Sequence, residues 1–312
     1  MSAFAIVNPR SGNGRTGREW KEIARALGEV YPSLSVGFSE GRGDVTAKVR
    51  QALIEGHQEI VAVGGDGTIN EAVNGMFDAE GPLAPDTVFA FVTSGTGGDF
   101  RKSFGIEPGA KAAVARLKTA AVRTIDVGRV SCLSGTGVPT SRYFINIASF
   151  GMSGLIVEQV NRARIAKLFG GSFAFAFHSA VAMLRYRNAP VRLIVDGKDD
   201  AKATVSTVAV SNGQYFGGGM RVAPDAKTGD GLFDVVVMEA AAKGKSLANM
   251  KLIYSGAHVH EPNVRVLRGT HVVAAPVAET GGRAVWIETD GETAGRLPAT
   301  FDILPGALNL RC

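Results

Sequence analysis

The chain has 312 residues, 45% hydrophobic and 20% charged, with 40 glycines, a net charge of +5 and a pI near 9.3. That length is long for one core and predicts two domains, and the glycine content predicts many tight turns or close backbone approaches. The basic balance favours anionic partners such as nucleotides or acidic membrane surfaces, whereas no dense Lys/Arg block, zinc spacing or RNP-like aromatic run points to nucleic acid.

In chain order, FAIV (4–7) predicts a short strand leading into a glycine loop, after which Trp20, Ile23, Ala24, Leu27 and Val30 recur at helical spacing. LSVGF (34–38) is strand-like, and Asp44 is placed to cap a helix that turns Val45, Val49, Ala52 and Leu53 inward. EIVAV (59–63) predicts a buried strand, followed by a helix through Ile69, Ala72, Val73 and Met76, and TVFAFV (87–92) a fourth strand. Alternating strands and helices with short loops imply a parallel sheet covered by helices, in which ligands bind beyond the carboxyl ends of the strands. The glycine-bearing loops at 8–17, 64–68 and 94–99 all follow strands and converge on that edge. Beyond about residue 125, short β-branched runs such as RYFINIAS, VRLIVDG, GLFDVVVM and AVWIETDG alternate with turn residues, which predicts an antiparallel sandwich or barrel. Helical patterns interrupt it near 154–186 and 245–254.

Other segments narrow the function less. Cys132 and Cys312 stand in neither a CxxC nor a metal spacing and read as reduced thiols of a cytosolic protein. His258 and His260 fall in a predicted loop away from carboxylates at ligand spacing, which argues against zinc. MSAFAIVNPRSG lacks the features of a signal peptide. LFGGSFAFAFHSAVAML (168–184) is uncharged over almost a membrane-spanning length, but its glycines, serines and histidine argue against spanning.

The loop GNGRTG (12–17) has the spacing of a dinucleotide fingerprint, with Glu40 after the next strand, but Asn8-Pro9-Arg10-Ser11 separates it from its strand. It also nearly spells a Walker loop, yet Arg18-Glu19 replaces the required Lys-Ser/Thr. In GGDGT, Gly64 and Gly65 let backbone N–H groups approach an anion, and Thr68 and Ile69 open a helix whose N-terminus favours negative charge. Asp66 in that loop would repel phosphate unless a divalent cation lies between them, a pattern that suits Mg-ATP. The alternative is a plain Asp-Gly turn.

Taken together, NPRSGNG (8–14), SEGRGD (39–44), GGDGTINEAVNG (64–75), SGTGGDF (94–100), RTIDVG (123–128), SNGQYFGGGMRVAPDAKTGDGLFDVVV (211–237) and TDGE (289–292) resemble the diacylglycerol kinase/sphingosine kinase catalytic-domain family, and among its members the soluble bacterial lipid kinases. The resemblance implies an α/β parallel-sheet nucleotide-binding domain over 1–125 and a β-sandwich lipid-substrate domain over 126–299, with residues 300–312 returning to the first domain. ATP would be held by Asn8, Pro9, Arg10, Ser11 and Gly12, by Ser39, by Gly64, Gly65, Asp66, Gly67, Thr68, Ile69 and Asn70, and by Thr96. Asp66 would position the Mg2+-nucleotide with Asp126 nearby, and Glu292 would be the general base. Lys227 and Leu232, through carbonyls, and Asp230, through its carboxylate, would hold a second, structural Mg2+. On local grounds alone KTGDGL reads as a hairpin turn. WIETDGE likewise reads as a solvated strand end, with Glu288, Asp290 and Glu292 on one face until the turn begins.

Two departures from the family pattern stand out. Gly98 takes the position of the asparagine in GTxND, so a hydrogen bond there must be made otherwise. Gly151-Met152-Ser153-Gly154 replaces Gly-Phe-Asp-Ala, which weakens the case for a cationic amino-lipid substrate. The resemblance implies an ATP- and Mg2+-dependent lipid kinase of the cytoplasm, peripheral at the inner membrane surface, acting on diacylglycerol or a related lipid alcohol. The acid-free stretch 159–195, with Phe169, Phe173, Phe177, Val181 and Leu184 on one helical stripe between basic flanks, suits either an anionic membrane surface or a core helix. A homodimer stays open. The rival readings are an NAD kinase, a Rossmann oxidoreductase using GNGRTG and a non-catalytic lipid- or nucleotide-binding module.

Overall fold

The computed structural model describes residues 2–93, 98–162, 186–198, 201–240, 251–277 and 283–312. The acid-free stripe from Phe169 to Leu184 and the loop residue Thr96 lie outside these. Two compact units emerge, one formed by Met1–Val127 with Pro305–Cys312 and the other by Gly128–Leu304.

In the first unit the order is β1 (Ser2–Val7), α1 (Ser11–Val30), β2 (Ser33–Phe38), α2 (Asp44–Ile54), β3 (Glu59–Gly64), α3 (Asp66–Met76), β4 (Val88–Thr93), α4 (Asp99–Lys102) and α5 (Ala110–Leu117). β5 (Val122–Leu133) begins here and continues into the second unit. β2, β1, β3 and β4 pair side by side in parallel, and Asn309 and Leu310 near the C-terminus add a further parallel partner to β4. Burial on both faces explains why β1, β3 and β4 read as near-continuous apolar runs, whereas β2, at the edge, is largely exposed. Ala3, Ala5, Val7, Val61, Val63, Ala90 and Val92 share a core with Ile23 and Leu27 of α1 and Val114 and Leu117 of α5. The intervening Phe4, Ile6, Ile60 and Ala62 are buried as well, and α2 and α3 pack against β1 and β3.

Asp44 does not cap α2. Gly43 occupies the cap in a left-handed conformation (φ 82°), and its N–H donates to both carboxylate oxygens of Glu71 on α3, each at 3.1 Å. Asp44 opens the helix itself, where its carboxylate accepts from the Glu40 N–H and from Lys48 Nζ, both at 2.8 Å. No side chain caps the first turn of α2; Glu71 of the neighbouring helix holds only the N–H of the cap residue Gly43, the part a first-turn glutamate plays in a capping box.

In the second unit β6 (Pro139–Phe144) and β7 (Ile147–Gly151) lead into α6 (Met152–Arg162). Then follow β8 (Ala189–Val195), β9 (Ala201–Ser211), the short pair β10 (Tyr215–Phe216) and β11 (Met220–Arg221), β12 (Phe233–Glu239), β13 (Val264–Gly269), β14 (His271–Pro276), β15 (Trp286–Thr289) and β16 (Glu292–Arg311). Antiparallel pairings run from β9 through β7, β15, β16, β14 and β8 and back to β9, while β12 and β13 extend outward from β9. Alternate residues point inward, so Val191, Leu193, Val195, Val208, Val210, Val235 and Val237 meet Phe150, Ile287 and Phe301 in one core. α6 lies close on β15, for a Cβ on Gly154 would sit 2.0 Å from the Trp286 carbonyl oxygen. His258 belongs to a 3-10 turn (Ala257–His260) rather than a loop, and its buried Nε2 lies 3.1 Å from the Val222 carbonyl. Among the described residues no helix is long and apolar enough to cross a membrane.

Candidate active site

In the first unit the glycine loops are built against one another. Asn8, directly after β1, donates through its backbone N–H to the Val63 carbonyl at 2.9 Å and through Nδ2 to Thr68 Oγ1 at 3.1 Å. Ser39, directly after β2, donates its N–H to the Val7 carbonyl at 2.8 Å. The ends of three adjacent strands thus bring Asn8, Ser39 and the Gly64–Thr68 loop together. Gly12, Asn13 and Gly14 pass through left-handed backbone (φ 59°, 55° and 80°) before α1 runs on, a path glycine takes without the Cβ penalty. A Cβ on Gly64 would lie 2.4 Å from Thr68 Oγ1, and one on Gly65 would lie 3.1 Å from Ser11 Oγ. The glycine pair therefore serves close packing of the loop.

α3 begins at Asp66, with Thr68 and Ile69 N–H groups turned back onto the Gly65 carbonyl at 2.9 and 3.1 Å. Asp66 Oδ2 accepts from the Gly98 N–H at 2.9 Å and from the Asp99 N–H at 3.4 Å. Gly98 is left-handed (φ 81°), so the residue that lacks the asparagine amide supplies a backbone donor to Asp66. Ile69 and Asn70 are buried, and the Asn70 carbonyl accepts from Asn74 Nδ2 at 2.8 Å within the helix. Arg10 is exposed beside this loop. Asp126, buried on β5, accepts the Gly306 N–H at 2.8 Å and so bonds β5 to the returning C-terminal segment.

In the second unit, Glu292 opens β16 opposite Thr289 of β15, across a two-residue turn in which Asp290 and Gly291 both have positive φ (50° and 85°). This is the backbone an Asp-Gly hairpin favours. It corrects the shared-face reading of Glu288, Asp290 and Glu292. Paired residues point to the same side, so Glu292 follows Thr289, while Glu288 belongs to the other side. Asp290 leaves the strand, and its carboxylate accepts from the Ile145, Asn146 and Ile147 N–H groups at 3.0, 3.1 and 3.0 Å.

Glu288, which the sequence presents as a solvated strand end, is only 3% exposed. Its Oε2 accepts the Gly291 N–H at 2.9 Å, and its Oε1 is held by the hydroxyl of Ser149, which lies 2.8 Å from the Ser153 hydroxyl at the start of α6. Burial pushes the Glu288 carboxyl up from 4.5 to about 7; the Ser149 and Gly291 hydrogen bonds oppose the shift, and Asp290 and Glu292 add to it. A folded value above the unfolded one means that native Glu288 holds its proton longer than unfolded Glu288. Its contribution to stability is therefore complete below pH 4.5 and is lost as pH rises to about 7. The full loss is on the order of 3 kcal/mol. Urea unfolding at about pH 4 and about pH 8 measures it, and Glu288→Gln is expected to remove that part of the pH dependence. The signal available in the sequence was a glutamate inside WIET, a run whose two strand faces are both buried.

The KTGDGL turn places Lys227, Asp230 and Leu232 between β11 and β12. Asp230 Oδ1 accepts the Leu232 N–H at 3.2 Å, and its other oxygen is paired with the Arg268 guanidinium. Arg268 also reaches the buried Asp234 at 3.5 Å, whose carboxyl is pushed up mainly by burial and further by Asp230 and Asp225. Two carboxylates thus share one guanidinium, with the charge of Asp225 acting on Asp234 as well, and among the described residues Asp234 Oδ2 has no hydrogen-bond partner. That surplus of negative charge and an all-oxygen donor set fit a hard cation. Among the described residues no group of three or more His, Cys, Asp or Glu side chains is disposed to hold a metal, so a cation here would rest on the Lys227 and Leu232 carbonyls with Asp230.

Residues 2–130 match the family model for the diacylglycerol kinase catalytic domain, and residues 146–312 match that for the YegS C-terminal NAD kinase beta sandwich-like domain. A kinase catalytic domain followed by this sandwich defines the class: a kinase with a C-terminal β-sandwich. A diacylglycerol kinase of Mycobacterium tuberculosis is 26% identical over 309 residues, covering 98% of this chain and 93% of that one. One of Staphylococcus carnosus is 27% identical over 302 residues, covering 96% and 91%. A diacylglycerol kinase crystal structure from Bacillus anthracis superimposes with a TM-score of 0.70 at 19% identity, covering 99% of this chain and 96% of that one. Yeast NADH kinase complexed with NADH gives a TM-score of 0.51 at 11% identity, covering 99% and 82%; both structural likenesses are of fold. The chain belongs to the bacterial diacylglycerol-kinase-like family.

Proposed function

We propose that this protein transfers the γ-phosphoryl group of ATP to the hydroxyl of a lipid alcohol, with diacylglycerol the leading acceptor. The observation that carries the reading is a relative named diacylglycerol kinase that matches 98% of the chain. The joined loops of the first unit support it. Asn8 to Gly12, Ser39, Gly64 to Asn70 and Thr96 are assigned to the nucleotide, whose phosphates would meet backbone N–H groups at the start of α3. Asp66, with Asp126, is assigned to the Mg2+-nucleotide, and Lys227, Asp230 and Leu232 to a structural Mg2+. Bound Mg2+ would neutralise charge on the phosphate oxygens. Glu292 takes the proton of the lipid hydroxyl while its oxygen bonds to the γ-phosphorus and the bond from that phosphorus to the bridging oxygen of ADP breaks. A lipid acceptor requires the protein to visit a bilayer, and the net charge of +5 favours an anionic, cytoplasm-facing surface.

Labelled ATP offered with a panel of lipid alcohols and with NAD, with and without Mg2+, tests the assignment. The expected result is Mg2+-dependent label in the organic-solvent extract, strongest with diacylglycerol. Label in NAD instead would assign the chain to the NAD kinases, and label in neither would overturn the kinase reading.

A further inference from the structure

We infer that Glu288 is a positioning residue: one of its carboxylate oxygens fixes the Asp290–Gly291 turn that presents Glu292, and the other ties that turn through Ser149 to the start of α6. The inference rests on the assignment of Glu292 as the base and deepens it. The turn is gripped on two sides. Asp290 spreads over three N–H groups between β6 and β7, and Glu288 holds the N–H of Gly291, the residue next to Glu292. Gly291, left-handed at φ 85° and without a side chain, has only backbone with which to be held. Glu288 is the side chain that holds its N–H.

The hydrogen-bond inventory also explains why an acid stands here. The Ser149 hydroxyl has one proton and two close neighbours, Ser153 and Glu288. With Glu288 ionised, Ser153 donates to Ser149 and Ser149 donates to Glu288. With Glu288 protonated, its O–H donates to Ser149, and Ser149 donates to Ser153. The Gly291 N–H finds an acceptor in both states. The network therefore tolerates either charge state without moving the turn, and what changes is the negative charge beside Glu292.

The titratable groups whose charge reaches Glu288 are Asp290 in the same turn and Glu292 at the head of β16. Arg142 of β6 donates to the carbonyl of Thr293, the cross-strand partner of Glu288, at 3.4 Å, and α6, which packs on β15, carries Glu158. β7 contributes uncharged side chains, Ser149 among them. An ionised Glu288 opposes a second negative charge at Glu292 and so favours proton uptake there, as a general base requires.

Glu288→Ala, Glu288→Gln, Ser149→Ala and Glu292→Gln separate the readings, assayed with labelled ATP and diacylglycerol in mixed micelles on either side of pH 7. Glu288→Ala is expected to lower kcat by about 100-fold with KM for ATP unchanged, the size expected when a reacting group is misplaced by about 1 Å. Glu288→Gln keeps an acceptor for Gly291 but no charge, so its pH–rate profile should lose the step near 7, while Ser149→Ala should move that step to higher pH. Amide exchange of the 289–292 peptide should quicken at least about tenfold in Glu288→Ala and stay unchanged in Glu288→Gln, whether or not lipid is phosphorylated. If Glu288→Ala does not fold, the Ser149→Ala profile decides. Unmoved profiles, or unmoved exchange in Glu288→Ala, would overturn the positioning role even where Glu292→Gln abolishes transfer. Full transfer by Glu292→Gln would instead remove the base assignment on which the role rests.

Discussion

Glu292→Gln is expected to reduce phosphoryl transfer to lipid by roughly 10²- to 10⁴-fold while leaving ATP binding unchanged. The substitution keeps the volume and one acceptor oxygen of the side chain but removes the group that takes the hydroxyl proton. The turn beneath it is held by Asp290 and Glu288, so the exchange leaves the hairpin in place and the loss reports chemistry rather than folding. Initial rates with labelled ATP, together with equilibrium nucleotide binding, make the measurement. A rise in KM for ATP with kcat preserved would place Glu292 in nucleotide binding instead.

Arg311→Ala is expected to destabilise the first unit by about 3–5 kcal/mol, the cost of leaving a buried charge without its partner. Glu59 is fully buried at the start of β3, where Arg311 meets it in a bidentate pair at 2.7 and 2.9 Å and the Tyr31 hydroxyl donates to it at 2.6 Å. Arg116 Nη1 holds the Arg311 carbonyl at 3.0 Å. This cluster fastens the last residues of the chain beside β4, and burial next to Glu59 pushes the Tyr31 phenol well above its ordinary value. Denaturant unfolding of Arg311→Ala measures the cost. The double replacement Glu59→Leu/Arg311→Met should recover most of it, because neither charge is then stranded. A double variant no more stable than the single one would show that packing, not the unpaired charge, sets the loss.

Much of this architecture follows from short-range pattern. After their first residues TVFAFV and EIVAV are apolar because both sheet faces are covered, and β4 and β3 run over nearly those residues. The spacing of Trp20, Ile23 and Leu27 belongs to α1, which turns Ile23 and Leu27 into the core. Alternation was equally informative in VRLIVDG, which forms β8 with every second side chain buried. The pattern misleads where backbone conformation changes within a residue or two. Counting alternation through WIETDGE carries Asp290 past the turn, although its left-handed backbone has already ended the strand. β16 is another case. It runs 20 residues through Pro298 and Pro305, each of which argues locally against a strand. Only pairing with successive partners, β15, β14 and β4, sustains it.

The sequence by itself determined the order of elements, the covered parallel strands and the glycine-rich loops after them, because local spacing and the need to bury apolar surface act over a few residues. Tertiary structure alone decided the polar partnerships. Those of Glu71 with Gly43, Gly98 with Asp66, Arg311 with Glu59, and Glu288 with Ser149 and Gly291 join residues brought together by folding, in all but the last case far apart in the chain. A carboxylate's role depends on which N–H groups and charges surround it once water is excluded. Glu288 and Glu292 look alike in WIETDGE, and only the buried hydroxyl of Ser149 and the register of the hairpin tell them apart.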